Sequence, residues 1–154
     1  MNQSFLLIFN LAVLIVSVVV HEVSHGLAAN KLGDPTARDL GRLSFNPLKH
    51  LDFTGSFLVP LISYLAGGFI FGWAKPVPYN PYNLKNQKWG PAAVAAAGPL
   101  SNFIIALVFG LGLRFISVVP PAAALAVGVI IYINILLGVF NLITIPPLDG
   151  SKIL

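Results

Sequence analysis

Four long apolar stretches divide the chain, and polar positions within them are few. The first runs from Phe5 to about Ala29; from Phe5 to Val20 its only polar members are Asn10 and Ser17. A helix rises 1.5 Å per residue, so this stretch is long enough to cross a bilayer, which takes about 20 residues. The second stretch, GSFLVPLISYLAGGFIFGW (55–73), is broken by Pro60 and by the pair Gly67-Gly68. The third starts near Pro91 and ends at Arg114. The fourth opens at Pro120-Pro121, residues suited to a helix start, and runs to about Ile145, where Pro146-Pro147 stop it. Between the first two lies the polar piece KLGDPTARDLGRLSFNPLKHLDFTG, in which RDLGRLSF alternates roughly between polar and apolar. Short strands at 36–46, forming a surface β-hairpin, are expected there.

The pattern predicts an all-α polytopic membrane protein. It has three spanning helices, a re-entrant or fourth apolar segment at 55–73, and the short hairpin. With no repeat, low-complexity tract or flexible linker, residues 1–154 read as a single core.

Charge decides how the second stretch runs. If it spans, Lys31, Arg38, Arg42, Lys49 and Arg114 fall on one side and Lys75, Lys85, Lys88 and Lys152 on the other. That split has almost no bias. If it dips in and returns, eight basic residues share one side and Arg114 stands alone on the other. This is a strong positive-inside pattern, so the re-entrant reading is favoured. The N-terminus is then outside, and residues 31–90 and the C-terminus are cytoplasmic. Composition agrees with a membrane location: 56% of residues are hydrophobic and 9% charged, where a soluble average is about 25% charged. The net charge of +4 therefore reads as a topology signal and not as a nucleic-acid footprint. There is no cysteine, which excludes disulfides, thiolate ligands and a cysteine nucleophile. A cleaved signal peptide fits poorly, because MNQS carries no Lys or Arg and His and Glu sit where cleavage would fall.

The candidate chemistry lies at the end of the first stretch, in HEVSH (21–25). On a helix, His21 and His25 are one turn apart and share a face, so two imidazoles can grip one metal ion. Glu22 is turned about a quarter of the way round and is the candidate general base for a metal-activated water. Ionisable residues at the centre of a spanning helix cost roughly 2.5–3.5 kcal/mol each if charged. A bound zinc ion, worth on the order of 10 kcal/mol or more in soluble peptides, offsets that placement. Glu22 is the only glutamate, and two of the three histidines flank it, which argues against ordinary interfacial polar residues. A third ligand is needed, and the candidates are His50, Asp34, Asp39, Asp52 and Asp149. Under the re-entrant topology the fourth stretch ends at the depth of His21 and His25, which favours Asp149. A metal transporter would need a polar path to both faces, and Phe5–Val16 offers only Asn10.

HEVSH, GPLSN (98–102) and NLITIPPLDG (141–150), in this order, resemble the site-2 protease family of intramembrane zinc metalloproteases. GRLSFNPLKHLD (41–52) and GWAKPVPYNPYNL (72–84) resemble its short bacterial and archaeal members, so the likeness covers essentially the whole chain. The resemblance implies one zinc ion held by His21, His25 and Asp149, with Glu22 as catalytic base. It implies hydrolysis of a peptide bond in a transmembrane segment of another protein, in the cell membrane near the cytoplasmic face. Gly98 would let helices approach closely. Asn102 and Asn141 are expected to bind substrate or to support the site, Asn102 alternatively through an interhelical hydrogen bond. The strands at 36–46 are expected to receive substrate by edge pairing. Two departures from the family stand out: Thr144 replaces a frequent proline, and the chain stops four residues after Gly150. The expectation is a truncated or minimal form, with a catalytically inactive relative that binds transmembrane helices as the alternative. No nucleic-acid partner is expected, and oligomeric state is left open.

Overall fold

The computed structural model of the chain describes residues 3–67, 73–116 and 118–153. Among them three helices are long and apolar enough to cross a membrane: α1 (Gln3–Lys31), α4 (Gly90–Phe115) and α5 (Pro121–Asn141). Two short helices, α2 (Thr36–Asp39) and α3 (Val59–Gly67), lie between α1 and α4. The long helices extend about 30–45 Å, enough for a hydrocarbon layer of about 30 Å. α4 packs against both α1 and α5, and α1 also touches α5, so the three form a bundle.

The bundle carries its large apolar side chains outward: Ile8, Val16, Ile104, Val108 and Leu136 are all exposed. Inward positions are small or polar, among them Ala95, Gly98, Ala106, Ser17, Asn102 and Asn134. In lipid there is no hydrophobic drive between helices. Close backbone approach and interhelical hydrogen bonds hold them instead. Gly138 illustrates the first device: a Cβ there would lie 2.8 Å from the Phe103 ring.

There is no strand among the described residues, which corrects the expected surface β-hairpin at 36–46 and the edge pairing built on it. Local capping overrides the alternation of RDLGRLSF. The Asp34 carboxylate accepts from the Thr36 amide and hydroxyl at 3.2 and 2.5 Å, which opens α2. Gly41, at φ +63°, closes it. Its N–H reaches Arg38 O, and the next amide, of Arg42, reaches Ala37 O, both at 2.9 Å. This is a Schellman closure, and its left-handed residue suits glycine. Asn46 then accepts from the Leu48 amide and starts a 3-10 turn over Pro47–His50. With backbone groups committed to turns, no ladder forms.

The second apolar stretch leaves and returns at one end of the bundle. It begins with a π turn over Thr54–Leu58 and continues into α3; residues 68–72 lie outside the described residues. Its two ends meet, with Trp73 N–H donating to Gly55 O at 3.0 Å and Lys75 N–H to His50 O at 2.8 Å. Lys85 N–H also reaches Leu32 O at 2.9 Å, and Ala29, Leu84 and Val94 share one small core. The end of α1 therefore lies beside the start of α4.

Candidate metal centre

Three side chains from distant parts of the chain converge between α1 and α4. His21 and His25, one turn apart on α1, are both buried. Asp149 opens the last 3-10 turn, Asp149–Lys152, which packs on α4. The three atoms His21 Nε2, His25 Nε2 and Asp149 Oδ2 form a nearly equilateral triangle. Its sides are 3.0 Å between the two nitrogens, 3.0 Å from His21 to the carboxylate and 3.1 Å from His25 to it.

The outer nitrogens of both rings face acceptors. His25 Nδ1–H donates to the Val94 carbonyl at 2.7 Å, and His21 Nδ1–H to the Asn102 side-chain oxygen at 2.6 Å. A carbonyl can only accept, so each ring carries its proton on Nδ1 and turns an Nε2 lone pair inward. With the rings neutral, three electron-rich atoms face one another at 3.0–3.1 Å, an arrangement that a shared cation, a metal ion or a proton, relieves. Two imidazoles and a carboxylate are borderline-soft donors that suit zinc, whose tetrahedral bonds of about 2.0–2.1 Å set ligands about 3.3 Å apart. The observed triangle, with sides of 3.0–3.1 Å, widens to that size with small side-chain movements.

The α4 backbone makes room for this group. A Cβ on Gly98 would lie 2.6 Å from His21 Nε2 and nearer still to His25 Nε2. The site therefore occupies the space a side chain would take. Pro99 follows inside the helix. It has no N–H for the Ala95 carbonyl and so leaves that carbonyl without its partner in the helix. At the other side Gly150 is equally constrained, because a Cβ would collide with the backbone of Leu142 and Ile143. That contact holds Asp149 against the end of α5.

Glu22 is half-buried and accepts a hydrogen bond at 2.8 Å from the Val77 amide. Val77 itself packs on Gly26, where a Cβ would lie 2.8 Å from its side chain. The extended segment 73–80 thus lies across the HEVSH face and fixes one carboxylate oxygen. Arg42 secures that segment through the carbonyls of Lys75 and Pro76, at 3.0 and 3.3 Å.

The other expected residues separate clearly. Asn102 is fully buried beside His21. Asn141 bonds back to Leu137 O of its own helix at 3.0 Å. Asp34 is fully buried and binds Thr36, the Asn80 amide at 2.7 Å and the Asn83 side chain at 2.9 Å. Burial pushes its carboxyl up, but the bonds from Thr36, Asn83 and Asn80 outweigh this and hold it below the ordinary carboxylate value. His50 is buried and bonds Ser44 O, Asp52 accepts from the Gly55 amide, and Asp39 pairs with Arg38 at the surface. Among the described residues, only His21, His25 and Asp149 form a cluster that could hold a metal. The Val77 amide and the Val94 carbonyl were invisible to sequence reasoning, since every residue but proline carries the same backbone groups. Asn134 was also missed. An isolated amide within an apolar span was the available signal.

These features define a class: helical membrane proteins with a His-His-Asp cluster in the bundle that could hold a metal ion. The profile of Peptidase family M50, the site-2 proteases, matches residues 9–130, and the chain belongs to that family. It is 40% identical over 149 residues to the Bacillus subtilis protein named "Putative zinc metalloprotease YwhC", covering 92% of this chain and 65% of that protein. It is 29% identical over 138 residues to "Putative zinc metalloprotease Rip2" of Mycolicibacterium smegmatis, covering 88% and 52%. It is 28% identical over 157 residues to "Putative zinc metalloprotease MJ0611" of Methanocaldococcus jannaschii, covering 95% and 72%. The chain thus spans less than two thirds of the first two relatives. No solved structure matches it at a significant level.

Proposed function

We propose that this chain is the core of an intramembrane zinc metalloprotease that hydrolyses a peptide bond in a transmembrane segment of another protein. The observation that carries this reading is the triangle of His21, His25 and Asp149 at 3.0–3.1 Å, with Glu22 on the same turn of α1. The triangle lies about 9–15 Å from the Lys31 end of α1, given the helical rise. That depth is within the apolar layer and close to the basic end of the bundle. Eight basic residues at that end favour the cytoplasmic side, in a multi-pass cell-membrane protein.

His21, His25 and Asp149 would hold one zinc ion. When bound, zinc supplies a Lewis acid and lowers the pKa of water to about 7. Glu22 takes a proton from the attacking water as its oxygen bonds to the scissile carbonyl carbon. It then gives a proton to the amide nitrogen as the C–N bond breaks. The Val77 amide orients Glu22 for both transfers, and Val94 and Asn102 keep the imidazoles in the ligating tautomer. Asn141, at the end of α5, with its side chain donating to Leu137 O of its own helix, is the further candidate for substrate contact or for support of the site.

The test uses the purified full chain in detergent with a labelled single-span substrate. Wild type should contain one zinc per chain and cleave, and a chelator should stop it. Glu22→Gln should retain zinc and lose about 10²–10⁴-fold in rate, the usual share of general acid–base catalysis. Cleavage undiminished in that variant would remove Glu22 as base. Zinc and substrate binding without cleavage by wild type would instead favour an inactive helix-binding relative.

A further inference from the structure

A chain of side-chain amides runs from α5 to the metal site. Asn134, Asn102 and Ser17 are all buried, and they come from the three spanning helices α5, α4 and α1. Asn134 Nδ2 donates to the Ile130 carbonyl and to Ser17 Oγ, both at 2.9 Å. Its Oδ1 therefore faces α4, where it accepts from Asn102 Nδ2 at 2.9 Å. Asn102 Nδ2 also approaches Ser17 O at 3.4 Å, and Asn102 Oδ1 is left for His21 Nδ1–H at 2.6 Å.

The direction of this relay is fixed at its far end. The Ile130 carbonyl can only accept, so Asn134 must turn its NH2 toward it. That leaves an acceptor for Asn102 and obliges Asn102 to present its NH2 to Asn134 and its oxygen to His21. A reversed Asn102 would set an NH2 group against His21 Nδ1. The ring proton would then move to Nε2, and the nitrogen in the triangle could no longer ligate.

We propose that Asn134 is a positioning residue for metal binding: anchored by Ile130 and Ser17, it sets the direction of the Asn102 amide and through it the His21 tautomer that offers Nε2 to a divalent cation. The inference rests on the metal reading of His21, His25 and Asp149 given above. It goes beyond helix packing, for which an interhelical amide pair of either polarity would serve.

The experiment compares wild type with Asn134→Leu in the detergent-solubilised full chain. Zinc affinity is read by competition with a chromogenic chelator. The His21 tautomer is read from long-range ¹⁵N–¹H spectra of the ¹⁵N-histidine-labelled apo protein. Asn134→Leu should bind zinc about 10–100-fold more weakly, the range seen when a partner behind a ligand is lost, and should lose the uniform Nδ1–H form of His21. Unchanged affinity would overturn the proposal. Weaker binding with the tautomer unchanged would also overturn it, because packing alone would then be the cause. Should Asn134→Leu fail to fold, Ser17→Ala decides by the same two readouts. It removes one anchor and should weaken zinc about 2–10-fold, the value of one hydrogen bond, with a mixed His21 tautomer. A wild-type chain that binds no zinc would overturn the metal reading itself, and this inference with it. Equal binding by wild type and variants would overturn the inference alone.

Discussion

At the scale of single residues, the site depends on a missing side chain as much as on those present. Gly98 brings the α4 backbone against the Nε2 atoms of both imidazoles, and a methyl group there would lie within 2.6 Å of His21 Nε2. Gly98→Ala should therefore push the two imidazoles off their positions while leaving α4 intact, since alanine is the better helix former by about 1 kcal/mol. Zinc affinity should fall by at least about tenfold, and thermal unfolding of the apo protein should be unchanged or slightly raised. Chelator competition and a melting curve on the same sample check both parts. Wild-type zinc affinity in the alanine variant would mean that the triangle does not close on a metal in the position described. The convergence of the three candidate ligands was legible in the sequence, because HEVSH states its own spacing on a helix and acidic residues are so scarce that Asp149 stood out. Gly98 was legible as a site of close approach, though what approaches it was not. That follows only from the register between α1 and α4, which depends on side chains 70 residues apart.

At the scale of elements, caps and anchors decided what periodicity could not. RDLGRLSF alternates as a strand would, yet Asp34 and Gly41 close a helical turn around it. The signals were present in the sequence as Asp-Pro-Thr and Leu-Gly, and short-range capping outweighed a weak alternation in which each side faced neither sheet nor core. Asp34 does more than cap. It ties the end of α1 to the Asn80–Asn83 turn and so to the start of α4. Asp34→Ala leaves several buried donors without an acceptor and should cost about 2–4 kcal/mol of stability. The pH dependence follows in sign. The folded carboxyl sits below its ordinary value, so the ionised form contributes fully above the unfolded value of about 4. Its contribution is lost as pH falls through the lower folded value. The difference in melting temperature between wild type and Asp34→Ala should be constant from neutral pH down to about 5, and should narrow below about 4. A difference that widened on acidification would contradict the ionised, hydrogen-bonded carboxylate.

At the scale of the whole molecule, the site can close only if the chain returns to the same end of the bundle before α4. α1 delivers His21 and His25 toward its Lys31 end. α4 must start at that end to place Gly98 and Val94 beside them, and α5 must run back to bring Asp149 to the same depth. An extra crossing at 55–73 would reverse α4 and α5 and carry Asp149 to the opposite face. The charge count and the proposed metal site therefore constrain the same feature from independent directions, and the Trp73–Gly55 and Lys85–Leu32 hydrogen bonds bring the flanks of that stretch to one end of the bundle. Because the chain has no cysteine, single cysteines give unambiguous labels. Phe45, Tyr82 and Val118 are exposed at 67%, 81% and 84% and make suitable positions. In intact cells a membrane-impermeant maleimide should label Val118→Cys and spare Phe45→Cys and Tyr82→Cys. Both of the latter should react once the membrane is opened. Opposite labelling of positions 45 and 82 would require the intervening stretch to cross. The carboxylate and the two imidazoles would then lie on different sides of the lipid, and no single cation could join them.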